Sequence, residues 1–87
     1  MAPVKLYTTR FCPYCVAARQ LLSGKGVAYE DIAVDGDTAL RREMTELAGG
    51  ARTVPQIWVG ATHVGGYTEL ASLERRGELD RLLDGLN

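Results

Sequence analysis

The chain predicts an α/β domain: a four-stranded mixed sheet flanked by three or four helices, in one unit spanning residues 1–87. Three observations predict it. Short runs of β-forming residues mark four strands. Apolar residues at helical spacing mark the segments between them. Gly- and Asp-rich turns separate the two kinds. A chain of 87 residues supports one compact core and no second.

The elements follow in order. Val4-Lys5-Leu6-Tyr7 alternates and reads as a first strand. After Pro13, the residues Cys15, Ala18, Leu21 and Leu22 recur at helical spacing as far as the stop at Gly24-Lys25-Gly26. Val27 to Val34, with Tyr29 and Ile32, reads as a second strand. Asp35-Gly36-Asp37 is turn chemistry, and either Asp can cap the helix that follows. Leu40, Met44, Leu47 and Ala48 share one face of that helix, and Gly49-Gly50 ends it. Gln56-Ile57-Trp58-Val59 and Thr62-His63-Val64 form a hairpin about Gly60-Ala61. A last helix carries Leu70, Leu73, Leu79, Leu82 and Leu83, with Gly77 as its point of weakness. A strand–helix–strand unit makes its two strands parallel, and the hairpin adds antiparallel strands to the same sheet.

Composition narrows the function. Hydrophobic residues are 46% of the chain and the formal net charge is −1, so disorder is excluded. That balance supports neither nucleic-acid nor bilayer binding, which favour basic surfaces. No stretch approaches the roughly 20 apolar residues of a membrane span. MAPVKLYTTR has no apolar run of signal-peptide length. The expected compartment is therefore the cytoplasm, where thiols stay reduced and paired cysteines are reactive or metal-bound more often than structural.

Cys12-Pro13-Tyr14-Cys15 stands where the first strand hands over to the first helix. The first N–H groups of a helix lack intrahelical partners and its N-terminus is partly positive, so a sulfur there is favoured as thiolate. Pro13 suits the first turn, and three-residue spacing brings Cys15 near Cys12. Cys12, at the tip, is the expected attacking thiolate, and Arg10 adds positive charge beside it. Cys15, on the apolar face of the helix, is the expected resolving thiol. Structural zinc takes four ligands, and two Cys with one His fall short of that. His63 therefore reads as a hairpin residue and Trp58 as sheet packing. Arg41, Arg42, Arg75 and Arg76 read as solvated helix faces. Gly65-Gly66 before a helix permits close backbone approach by a ligand, and Thr68 and Glu69 then stand at a natural carboxylate site. Plain capping by Thr68, with Glu69 complementing the helix dipole, is the alternative.

With these residues the chain resembles the glutaredoxin family, in its bacterial dithiol form. Three motifs match in order: Cys12-Pro13-Tyr14-Cys15, Thr53-Val54-Pro55-Gln56-Ile57 and Gly65-Gly66-Tyr67-Thr68-Glu69. The resemblance implies a thioredoxin-like fold with the strands ordered second, first, third, fourth. It implies glutathione as co-substrate, held in a groove beside Cys12, with no permanently bound cofactor and no metal. Pro55 is implied to follow a cis bond and face the dithiol. Thr53 and Val54 are implied in the groove, the Val54 backbone pairing with the cysteinyl unit of glutathione. Gly66, Thr68 and Glu69 would take its γ-glutamyl end, between walls formed by Tyr14 and Tyr67. Many members carry Lys three residues before the attacking Cys, where this chain has Thr9. Arg10 or Arg52 would then meet the glycyl carboxylate.

The expected activity is glutathione-dependent reduction of protein disulfides and of protein–glutathione mixed disulfides. The expected partners are glutathione and disulfide-containing or glutathionylated proteins, met by a monomer. The rival is a carrier that holds a [2Fe–2S] cluster between two subunits. The Pro-Tyr pair inside the motif resembles the enzymatic branch more than the Cys-Gly-Phe-Ser carriers.

Overall fold

The computed structural model describes residues 2–85. Four strands, β1 (Val4–Thr8), β2 (Glu30–Ala33), β3 (Gln56–Val59) and β4 (Thr62–Gly65), form one sheet in the order β2-β1-β3-β4. β1 runs parallel to β2 and antiparallel to β3, which pairs antiparallel with β4. The helices are α1 (Pro13–Gly24), α2 (Thr38–Leu47), α3 (Tyr67–Arg75) and the short α4 (Leu79–Leu83). No described helix is long and apolar enough to cross a membrane.

Alternation along the two central strands produces two cores. Val4 and Leu6 of β1 and Ile57 and Val59 of β3 point to one face, where Ala18 and Leu22 of α1, Leu70 of α3 and Leu79 and Leu83 of α4 cover them. Tyr7 points to the other face and packs with Val34 and Met44 of α2, flanked by Leu40, Val54 and Trp58. Both faces are therefore closed, and the two inner strands carry most of the burial. Trp58 meets Tyr7 edge-on at 5.5 Å, in the sheet packing expected of it, and stacks at 4.6 Å on His63 of the hairpin strand β4.

Several local expectations are corrected. The second strand begins at Glu30 rather than Val27. The Val27 N–H instead bonds the Leu22 carbonyl at 3.0 Å, closing the end of α1, and its side chain fills the core. Of the two aspartates able to cap α2, as expected one does so: Asp37 accepts from the Leu40 N–H at 2.9 Å. Leu47 is 56% exposed, because α2 ends there and turns it off the core. Gly66, not Thr68, is the N-cap of α3. The last helical stretch divides at Gly77, whose φ of +71° ends the α-helical path and starts α4 on a new axis.

Candidate active site

The site forms where the N-termini of α1 and α3 meet the loop entering β3. Cys12 is the N-cap of α1, in extended backbone with φ −127° and ψ 109°. Its Sγ accepts a hydrogen bond from the Cys15 N–H at 3.2 Å. This is the usual N-cap arrangement with sulfur in place of oxygen. Pro13 takes the first helical position, and no acidic residue in the first turn offsets the positive helix end. From the opposite side the Cys12 thiol donates to the Val54 carbonyl at 3.7 Å. Neither cysteine is in a disulfide.

Cys15 lies on the inner face of the same turn and is fully buried. Burial pushes its thiol up from the ordinary 9.0 to about 11, with the hydrogen bond to Cys12 and then the Cys12 charge adding to the rise. The Thr9 backbone and the Arg19 charge pull the other way. The two sulfurs thus differ by position alone: one caps a helix at the surface, the other is sealed beneath it.

A shallow groove of about 270 Å³ runs beside Cys12. Tyr14, Thr53, Val54, Pro55, Gly66, Tyr67, Thr68 and Glu69 line it, and these are eight of the nine groove residues anticipated from the sequence. The Tyr14 and Tyr67 rings stand 6.4 Å apart at its wall. The Val54–Pro55 bond is cis. Glu69, third residue of α3, folds back so that Oε1 accepts the Gly66 N–H at 2.8 Å. A Cβ on Gly66 would come within 3.3 Å of that oxygen and 3.5 Å of the Pro55 carbonyl, so glycine lets these strands of backbone close up.

Arg10 is the ninth, and it does not line the groove. Its backbone N–H donates to both Asp35 carboxylate oxygens, at 3.0 and 2.9 Å, which ties the turn before Cys12 to the end of β2. Arg52 opens instead on a neighbouring depression shared with Thr38, Arg41, Arg42 and Thr45. The Arg41 guanidinium donates to the Arg52 carbonyl at 3.2 Å.

Three further features escaped sequence reasoning. Phe11 is 90% exposed directly before Cys12 and gives the site an apolar rim with Tyr14. Gln56, buried in β3, donates through Nε2 to the Thr53 carbonyl at 2.9 Å and accepts at Oε1 from His63 Nε2 at 2.7 Å. The amide must face that carbonyl with its NH₂, so His63 must carry its hydrogen on Nε2. A polar residue at an inward strand position was the available signal for Gln56. The third is a hydrogen-bonded cluster of Thr8, Arg19 and Asp31 joining β1, α1 and β2, for which no sequence spacing gave warning.

Comparison with known proteins agrees with this geometry. The sequence profile of the Glutaredoxin family matches residues 4–64. A glutaredoxin of Pseudomonas aeruginosa is 57% identical over 83 residues, covering 95% of this chain and 98% of the relative. Glutaredoxin 3 of Escherichia coli K12 is 48% identical over 83 residues, covering 95% and 99%. The crystal structure of a buckwheat glutaredoxin–glutathione complex superposes with a TM-score of 0.87 at 26% identity, over 97% of this chain and 78% of that one. The solution structure of a glutaredoxin from Brucella melitensis gives 0.84 at 44% identity, over 95% and 89%. The sheet order β2-β1-β3-β4 is the one the resemblance implied, on a thioredoxin-like fold. Fold, sequence and paired thiols together make this chain a member of the glutaredoxin family, whose chemistry is thiol–disulfide exchange.

Proposed function

We propose that the protein is a glutathione-dependent oxidoreductase that reduces protein disulfides and protein–glutathione mixed disulfides, with Cys12 attacking and Cys15 resolving. The observation that carries this reading is the groove of Tyr14, Thr53, Val54, Pro55, Gly66, Tyr67, Thr68 and Glu69 lying against the one cysteine that caps a helix. Glutathione is the proposed occupant. Its cysteinyl backbone would pair with Val54, and its γ-glutamyl end would meet the start of α3, where helix N–H groups and the dipole favour a carboxylate. Arg52, next to Thr53, is the nearer in sequence of the two cations considered for the glycyl carboxylate.

The chemistry runs through mixed disulfides. In the monothiol route, the Cys12 thiolate attacks the glutathione sulfur of a glutathionylated client. A Cys12–glutathione bond forms, and the client leaves as a thiolate that takes up a proton. A second glutathione thiolate attacks that bond, releasing Cys12 and forming oxidised glutathione. In the dithiol route, Cys12 attacks a protein disulfide and Cys15 displaces the client, leaving a Cys12–Cys15 disulfide. Two glutathiones then reduce it. The proposed setting is the cytosol, and the proposed acting form is a monomer.

The test is NADPH consumption through glutathione reductase, with a small glutathione mixed disulfide or a protein disulfide as substrate. Cys12→Ser is expected to abolish both activities. Cys15→Ser is expected to keep the first and lose the second. Activity in Cys12→Ser overturns the assignment, and turnover supported by thioredoxin reductase but not by glutathione overturns the proposed reductant.

A further inference from the structure

The dithiol route poses a problem at Cys15. Its sulfur is sealed from solvent, and burial holds the thiol protonated. Yet it must become a thiolate to displace a client from Cys12. Around it stand Cys12 at the cap, the backbone of Thr9 just past β1, and Arg19 further along α1. Residues 15 and 19 are neighbours one helical turn apart.

Arg19 is not a loose surface cation. Its Nε donates to Asp31 Oδ2 at 2.7 Å and its Nη2 to Thr8 Oγ1 at 3.0 Å. The Thr8 hydroxyl, 1% exposed, donates in turn to Asp31 Oδ1. α1, β1 and β2 thus each contribute one member of a closed ring of hydrogen bonds, and this pins the guanidinium of the residue one helical turn from Cys15. A surface ion pair alone contributes little to stability. Here the anchoring serves to fix where a positive charge sits. Of the charged groups acting on the Cys15 sulfur, Arg19 favours the thiolate and Cys12 opposes it. Asp31, ion-paired to Arg19 at 2.7 Å, offsets part of that positive charge. Once Cys12 is bonded to a client sulfur its charge is gone, and it no longer opposes what remains of the Arg19 charge.

We propose that Arg19, pinned by Asp31 and Thr8, is a positioning residue for the resolving step, stabilising the Cys15 thiolate and so setting the speed of the dithiol route. The proposal rests on the division of labour between Cys12 and Cys15 proposed above. In the step concerned, Cys15 gives up its proton and its sulfur attacks Cys12 Sγ. The Cys12–Cys15 bond forms and the Cys12–client bond breaks. The departing client thiolate takes up a proton, so the client sulfur is reduced and the enzyme pair oxidised.

A nearby unit charge changes a thiolate population by about tenfold, which is an upper bound here because Asp31 offsets part of the Arg19 charge. The remaining thiolate is more basic and more nucleophilic, which recovers about threefold of that. Arg19→Met is therefore expected to slow protein-disulfide reduction by up to about threefold while leaving turnover of a small glutathione mixed disulfide, which does not use Cys15, at its original rate. Arg19→Lys keeps the charge and is expected to restore most of the loss. In a Cys12→Ser background, ultraviolet thiolate absorbance should show Cys15 ionising at higher pH after Arg19→Met than before.

Equal loss in both assays would mark Arg19 as merely structural and overturn the proposal. So would unchanged protein-disulfide reduction, or a Cys15 titration that does not move. Cys15→Ser, measured alongside, separates the two levels. If it keeps protein-disulfide reduction, the division of labour itself fails. If it loses that activity while Arg19→Met matches the parent, only the role of Arg19 fails.

Discussion

Replacing Gly65 by Ala tests how the start of α3 is built. Gly65 ends β4 with φ +113°, beyond the left-handed helical well that other residues occasionally visit. An added Cβ would stand 3.0 Å from Glu69 Oε1 and 3.1 Å from its Cγ. That same oxygen holds the Gly66 N–H. Gly65→Ala therefore meets two penalties. Backbone strain costs about 1–3 kcal/mol. Displacing Glu69 removes a helix cap worth about 1 kcal/mol. Together they cost about 2–4 kcal/mol, a large share of the roughly 5–15 kcal/mol that holds a small domain together. For a domain of this size, each kcal/mol lowers Tm by about 4–8 °C.

Glu69→Ala alone loses only the cap, about 1 kcal/mol. In the double variant the Oε1 and Cγ atoms that crowd the new Cβ are gone, leaving only the residue-69 Cβ at 3.4 Å, an ordinary contact, and the cap is lost once rather than twice. The double variant should then be about as stable as Gly65→Ala, falling short of the summed effects by about 1 kcal/mol. Urea denaturation of the parent, the two single variants and the double variant measures this directly. Additivity within about 0.3–0.5 kcal/mol would refute the reasoning, since it would mean the alanine leaves the Glu69 cap intact.

The remaining predictions concern Cys15 and Gln56. The Cys15 thiol stays protonated in the fold to about pH 11, while an unfolded chain loses that proton near 9.0. The native state therefore binds the extra proton, and the contribution of Cys15 is complete below pH 9 and declines from there to pH 11. Cys15→Ala should flatten that part of the stability profile relative to the parent, as read by denaturation at a series of alkaline pH values; parallel profiles would contradict it. Gln56→Leu keeps the volume but leaves the Thr53 carbonyl without its donor, at a cost of about 1–3 kcal/mol. Because Thr53 and Val54 line the groove, this variant should raise KM for glutathione more than it lowers kcat, and an effect on kcat alone would speak against a role in holding the groove.

Much of the fold was legible because its signals are local. Alternation in Val4–Tyr7 and Gln56–Val59 sets which side chains face which layer. The helical spacing of Cys15, Ala18 and Leu22 sets the buried side of α1. The errors fall where tertiary demands outweigh local pattern. Val27 looks like strand but is taken by the end of α1, because the last helical carbonyls need donors. Asp35 and Asp37 are equivalent as capping residues, and only the path of the chain past Arg10 assigns one to the helix and the other to the turn before Cys12. Leu47 fits the apolar stripe of α2 and is nonetheless exposed, since periodicity continues past the point where the core ends.

By itself, the sequence determined the chemistry available: two thiols spaced for one helical turn, a proline at the first position, and a glycine pair ahead of a third helix. Those depend on neighbours within a few residues, and short-range geometry is set by bond rotation and local hydrogen bonds. Tertiary structure alone decided that Arg10 stays out of the groove lined by residues 14, 53–55 and 66–69, and that Thr8, Arg19 and Asp31 close a ring of hydrogen bonds. Such meetings span well over half the chain, from residue 14 to residue 69, and exist only once burial of the two sheet faces has fixed where each helix lies, for a charge or a carbonyl acts on whatever is near it in space, whatever its place in the sequence.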